Sequence, residues 1–165
     1  MSEGILLAAS ASKILSGLSG TYSKYEANKL EAKYTSSQLQ FNSKLADFQA
    51  KDAERRGVEE ANAYRVKVKQ LIGSQRAAMA AQGIEINADS ALEIQEETAA
   101  LGEQDAMTIK NNAFLEATGY RIQALDYRSQ SRYAEISGKA RARNTLLTGG
   151  MSAIDEIFKV GAQLK

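Results

Sequence analysis

The chain has 165 residues, 44% of them hydrophobic but only 7% aromatic, with a formal net charge of +1; this suffices for one domain and points to thin, alanine-rich packing, rods rather than a globule. It contains no proline, cysteine or histidine, so the main helix breaker, disulfide and thiolate chemistry, and the commonest general base and metal ligand are all missing. Near-neutrality excludes a surface that grips nucleic acid or anionic lipid all over, and any such contact must be local.

The start, Met1-Ser2-Glu3-Gly4, lacks the basic region of a secretory signal, so secretion by that route is not expected. Residues 4–20 are almost wholly Gly, Ala, Ser, Ile and Leu, and Leu7, Ala11, Ile14 and Leu18 fall on one helical face. Gly17 and Gly20 predict a hinge behind this segment. It reads either as a terminal helix packed on its neighbours or partly disordered, or as one that packs closely or inserts at a membrane interface. No window reaches the eighteen or so apolar residues of a spanning helix.

From Tyr22 to Gln82 the pattern is helical, roughly 60 residues or on the order of 90 Å if unbroken. Tyr34, Phe41 and Phe48 repeat every seven residues with Leu30 and Leu45 beside them, which predicts the seam for another helix. Val58, Ala61, Val68, Ile72 and Met79 continue that register approximately. The mixed charges from Lys51 to Glu60 read as a solvated face.

The run Gly83-Ile84-Glu85-Ile86-Asn87-Ala88-Asp89-Ser90 predicts an elbow. Gly83 can take the left-handed conformation that ends a helix. Ser90 precedes Glu93 at capping-box spacing and starts the next one. Ile84 and Ile86 are expected to tuck against the helix ends.

Residues 90–144 form the second long helical stretch. Ile94, Leu101, Thr108, Leu115, Ile122, Ser129 and Ile136 stand seven apart, which predicts the seam for the returning helix. A second line, Ala99, Ala106, Ala113, Tyr120 and Tyr127, lies about 140° round the helix from the first. Two faces need two partners, so this second line is predicted as the interface with a neighbouring subunit.

Arg128, Arg132, Arg141 and Arg143, with Tyr127 and Tyr133 among them, belong to the one basic stretch. Aromatics among arginines can contact nucleic acid transiently, although helices also collect cations near their C-terminal ends. The end is a glycine pair, Gly149-Gly150, followed by an amphipathic stretch whose apolar side is Met151, Ile154, Ile157, Phe158 and Leu164. With Leu7, Ala11, Ile14 and Leu18, these are the predicted membrane or partner contacts.

No phosphate loop, HExxH, GxSxG or calcium loop occurs. Glu96, Glu97, Glu103 and Asp105 sit on one helix, where they cap its start and pair with cations such as Arg76 or Lys110. No catalytic residue, cofactor or metal is expected.

The run from Gly73 through Arg76-Ala77-Ala78-Met79-Ala80-Ala81-Gln82-Gly83-Ile84-Glu85-Ile86 continues with Ser90-Ala91-Leu92, Thr98-Ala99-Ala100, Glu103-Gln104-Asp105-Ala106, Thr108-Ile109-Lys110-Asn111-Asn112 and Gly119-Tyr120-Arg121. Over roughly residues 70–125 this resembles the small internal virion, or ejection, proteins of T7-like and related short-tailed bacteriophages. The resemblance implies a protein carried inside the virion and released ahead of the genome, which joins a channel across the host envelope at the outer membrane. Its implied partners are other internal virion proteins or portal and tail proteins, the host outer membrane after ejection, and phage DNA in transient contact. None of the matched residues is implied to be catalytic.

The expected fold is therefore all-α: a long antiparallel helical hairpin over 21–148, flanked by short amphipathic terminal helices over 1–20 and 149–165. A single terminal segment of about 20 Å cannot cross the roughly 30 Å hydrocarbon core, so a membrane role requires a homo-oligomeric ring or tube. The competing expectation is a helical scaffold or portal and tail adaptor protein with no membrane role.

Overall fold

The computed structural model describes residues 2–86 and 89–163, with the side chains of residues 2–7, 10, 160 and 163 outside the description. It consists of two helices, α1 (Ser2–Ala81) and α2 (Asp89–Gln163), with no strand among the described residues. The two helices pack against each other as an all-α hairpin. Both run longer than expected. α1 continues through Gly17 and Gly20, and α2 through Gly149 and Gly150, so the anticipated terminal helices are the ends of the long ones. A glycine inside a helix costs only about 1 kcal/mol relative to alanine, too little to break a helix that packing supports.

The chain groups into two compact units, one of Met1–Asn42 with Asp126–Lys165 and one of Ser43–Leu125. In the unit Ser43–Leu125, α1 ends at the elbow in a hydrogen-bonded cap. Gly83 has φ +74°, its N–H donates to the Ala80 carbonyl at 3.1 Å, and the Ile84 N–H donates to the Met79 carbonyl at 3.0 Å. The first bond satisfies a carbonyl that the helix end would otherwise leave open, the second adds to the Gln82 N–H already donating to Met79 at 3.2 Å, and only glycine takes the required φ without steric cost. Gln95 then fastens the connection: its buried amide donates to the Ile86 carbonyl at 3.3 Å and to the Ala91 carbonyl at 2.9 Å. Of the two elbow isoleucines only Ile86 is half-buried, while Ile84 is exposed.

The seam of this unit is built from small side chains. Ala50, Ala53 and Ala117 form its core cluster, with Tyr120 packed against them, and Ala46, Ala61, Ala106 and Ala124 are buried alongside. Two glycines take part by having no side chain. A β-carbon on Gly57 would overlap Ala113, and one on Gly102 would overlap the Val68 side chain. Each buried methyl contributes about 0.8 kcal/mol, so stability here comes from many small contacts made possible by close backbone approach. From Ala91 to Ala124 the inward positions advance by about 3.7 residues per step, close to the period of a straight α-helix and unlike the 3.5 of a heptad coiled coil.

The unit Met1–Asn42 with Asp126–Lys165 follows the same rule. Gly138 has no room for a β-carbon beside Ala32, nor Gly149 beside Thr21. Ala32, Ser36, Ser131 and Ala142 are buried. The Ser36 and Ser131 hydroxyls lie 2.8 Å apart, and Ser131 also donates to the Ser36 carbonyl at 3.1 Å, so this buried polar pair satisfies itself. Asn28 donates to Thr145 at 3.0 Å.

Small residues inside overturn the expected division of faces. Ala106 is buried, and Ala113, Tyr120 and Tyr127 are half-buried in the seams of their units, so these four belong to the hairpin and not to a subunit interface. Ala99 alone of that line is exposed. Conversely, Tyr34, Phe41 and Phe48 with Leu30 and Leu45, and Ile94, Leu101, Leu115, Ile122 and Ile136, were the predicted seams and are all exposed. Val58 is exposed too, whereas Ala61, Val68, Ile72 and Met79 do face inward. The physical reason is distance: the tightly packed backbones leave no room for a bulky side chain between them.

Candidate interaction surface

In each unit the apolar side chains that could engage a partner lie on the sides of the helices away from the seam. In the unit Met1–Asn42 with Asp126–Lys165, Leu30, Tyr34 and Phe41 occupy the outer face of α1. On α2, Tyr133, Ile136, Leu147, Met151, Ile154 and Phe158 step by three, four or eleven residues along the outer face. Tyr133 is 74% exposed and Phe158 73%, values far above those of a satisfied packing position. In the unit Ser43–Leu125, Leu45 and Phe48 on α1 and Leu115 and Ile122 on α2 are turned outward in the same way.

The predicted terminal contacts divide. Met151, Ile154, Ile157 and Phe158 are exposed, as are Ala11 and Leu18, whereas Ile14 is half-buried. The Leu7 side chain and Leu164 lie outside the described residues. Ile14 lines an open groove of about 730 Å³ together with Thr21, Asn144, Thr148 and Ser152, and Lys13 and Glu156, paired at 2.7 Å, also line it. That ion pair holds the Glu156 carboxyl below its ordinary range.

Cross-helix polar contacts fix the register within each unit. In Ser43–Leu125, Arg65 grips Glu103 through two parallel bonds, Nε to Oε2 at 2.7 Å and Nη2 to Oε1 at 2.6 Å. This fork pushes the Glu103 carboxyl down and the guanidinium up. Tyr64 donates to Asp105 at 2.7 Å, which raises the phenol above its ordinary value. Arg56 pairs with Glu116 at 3.0 Å, and Arg121 with Glu54 at 2.7 Å. Glu103 and Asp105 thus take their hydrogen-bonded partners from α1, at Arg65 and Tyr64, while of the expected cations Lys110 adds a weaker attraction to Glu103. An i to i+4 search along one helix cannot find partners some forty residues away in sequence.

The candidate DNA contacts Arg128, Arg132, Arg141 and Arg143 are all exposed, and Arg128 is engaged with a neighbour. They do not share one face. Arg141 lines a groove with Asn28, Glu31 and Thr35, while Lys139, on the flank that the four- and eleven-residue spacings give to Arg128, Arg132 and Arg143, lines another with Lys29 and Lys33. This unit carries eleven Lys and Arg against seven Asp and Glu, and the unit Ser43–Leu125 ten against thirteen, so attraction for a polyanion is concentrated in the first.

At the elbow Gly83 performs as predicted. α2 begins at Asp89, so Ser90 and Glu93 are exposed residues inside its first turns, and Ser90 does not occupy the N-cap. Asn87 and Ala88 lie outside the described residues. Sequence reasoning missed Gln95, Ser36 and Ser131, and the packing glycines Gly57, Gly102, Gly138 and Gly149. A signal for the glycines was available, since each continues the spacing of the buried alanines.

Among the described residues no group of three His, Cys, Asp or Glu side chains could hold a metal ion, and no helix is long and apolar enough to cross a membrane. Comparison with protein-family models, curated proteins and solved structures gives no significant match to this chain.

Proposed function

We propose that this chain is a phage internal virion, or ejection, protein: a structural component, carried in the virion, of the channel that takes the genome across the host cell envelope. The observation that carries the reading is the placement of the bulky apolar side chains on outer faces while Ala, Gly and Ser fill the seam. Such a hairpin is a building block whose apolar surface is available to neighbouring copies, to other virion proteins or to lipid at the outer membrane. The resemblance over residues 70–125 supplies the biological setting. Transient contact with phage DNA would fall on the more basic unit, at Arg132, Arg143 and Lys33.

Dye release from liposomes by the purified full chain, together with infection by particles that carry Met151→Glu and Phe158→Glu, tests the proposal. The expected result is leakage with the native chain, and loss of both leakage and DNA delivery with the variant. Native protein that assembles yet never binds or permeabilises lipid would favour a scaffold or portal and tail adaptor without a membrane role.

A further inference from the structure

We propose that in the unit Met1–Asn42 with Asp126–Lys165 the outer face of α1 in one copy packs against the outer face of α2 in the next. The occupant of each apolar face is thus a second copy of this chain, in a head-to-tail contact that propagates from copy to copy. The inference goes beyond the delivery reading and does not need it, since a scaffold without a membrane role would use the same contact.

Three observations carry it. The first is position: both faces point away from the same seam, so they lie on opposite sides of the unit. A two-fold contact would cover one of them and leave the other bare, whereas a head-to-tail contact covers both.

The second is size complementarity at equal height. Lys13 pairs with Glu156, Thr21 abuts Gly149, and Asn28 bonds Thr145, which sets α1 residues 12–23 level with α2 residues 146–158. There the α1 outer face carries Ser12, Ser16, Ser19 and Ser23, and the α2 outer face carries Leu147, Met151, Ile154 and Phe158. Further along the order reverses: Leu30 and Phe41 of α1 stand level with the small Ala140 and Ser129 of α2. At these heights large side chains of one copy therefore meet small ones of the next without any sliding of the copies, and at one height, where Tyr34 stands level with Ile136, two large apolar side chains meet. The serine stretch is also less polar than its composition suggests, because Ser16 donates to the Lys13 carbonyl and Ser23 to the Ser19 carbonyl, both at 3.0 Å.

The third is area. Tyr133, Ile136, Leu147, Met151, Ile154 and Phe158 are all more than half exposed, and six such side chains offer on the order of 800 Å², the area that each partner contributes to a stable interface.

The test uses the full chain, which has no cysteine of its own. Ser23→Cys and Leu147→Cys stand level with each other at the centres of the two faces. Oxidising a mixture of the two single variants should give a cross-linked dimer containing one of each. The variant carrying both substitutions should give a ladder of multimers, since the two positions lie on opposite sides of one copy and cannot bridge within it. Light scattering should show native mass rising with concentration, and Met151→Glu should raise the dissociation constant tenfold or more with helicity unchanged; should that variant lose helicity, Phe158→Glu is read instead. A single-chain mass at every concentration would overturn the proposal, and so would cross-links confined to identical variants or association seen only with lipid vesicles.

Discussion

Gly57 lies so close to Ala113 that a β-carbon on the glycine would overlap the alanine's own. Gly119, on the facing helix, has nothing within 4 Å of the corresponding point. The same substitution should therefore act in opposite directions. Gly57→Ala should lower stability by about 1–3 kcal/mol through overpacking, while Gly119→Ala should raise it by up to about 1 kcal/mol, because alanine loses less backbone freedom in a helix. Urea unfolding followed by far-ultraviolet circular dichroism reads both, and equal stabilisation by the two would refute the close seam.

The Arg65–Glu103 fork and the Lys13–Glu156 pair both hold carboxyls below the ordinary value of 4.5. A depressed folded value means that the stability each contributes is fully present above about pH 4.5 and is lost as pH falls through the lower, folded value. The melting temperature should stay level from neutrality to about pH 5 and drop below about pH 4. Glu103→Gln should flatten part of that acid limb. Tyr64 works in the opposite sense, since Asp105 raises its phenol above the ordinary 10.0. Its contribution is present below that value and fades as pH rises through the folded one. Tyr64→Phe should weaken the alkaline loss in a melting series from pH 9 to 12.

The all-α hairpin and its turn at Gly83 were legible because they depend on local properties: no proline in 165 residues, a glycine that ends one helix, and apolar spacing on both sides of it. The division of faces was not. Seven-residue lines of large side chains, such as Tyr34, Phe41 and Phe48, look like a seam by hydrophobicity, whereas the real seam carries Ser36, Ser43, Ala50 and Gly57, also seven apart. Hydrophobicity ranks the first line above the second; backbone distance ranks them the other way, and that distance is a property of two helices together. The Arg65–Glu103 fork was hidden for the same reason, since its partners are brought together only by the fold.

The cap at the elbow gives a further test. Gly83 has φ +74°, where a side chain costs about 1–2 kcal/mol and a β-branched one more. Gly83→Val should destabilise the chain by at least that amount, and Gly83→Asn by less, since asparagine tolerates this conformation. Crowding cannot be the cause, because nothing lies within 4 Å of the position a β-carbon would take. Equal melting temperatures for the glycine and valine forms would mean that the left-handed cap does not limit stability.

Ala106 and Leu115 allow the inside and the outside of the hairpin to be told apart by the same chemical change. Ala106 is 0% exposed and Leu115 is 67% exposed, although leucine is much the more hydrophobic of the two. A carboxylate at 106 would have to fit between closely packed backbones and lose its water without a prepared partner, which costs several kcal/mol. At 115 it would point outward, and the effect on folding should stay within about 0.5 kcal/mol. Ala106→Glu should therefore reduce helicity and shift the urea midpoint strongly, while Leu115→Glu leaves the midpoint nearly unchanged. The opposite result would move the seam back to the seven-residue line of Leu101, Leu115 and Ile122, with alanines outward and a hairpin held together by its largest side chains.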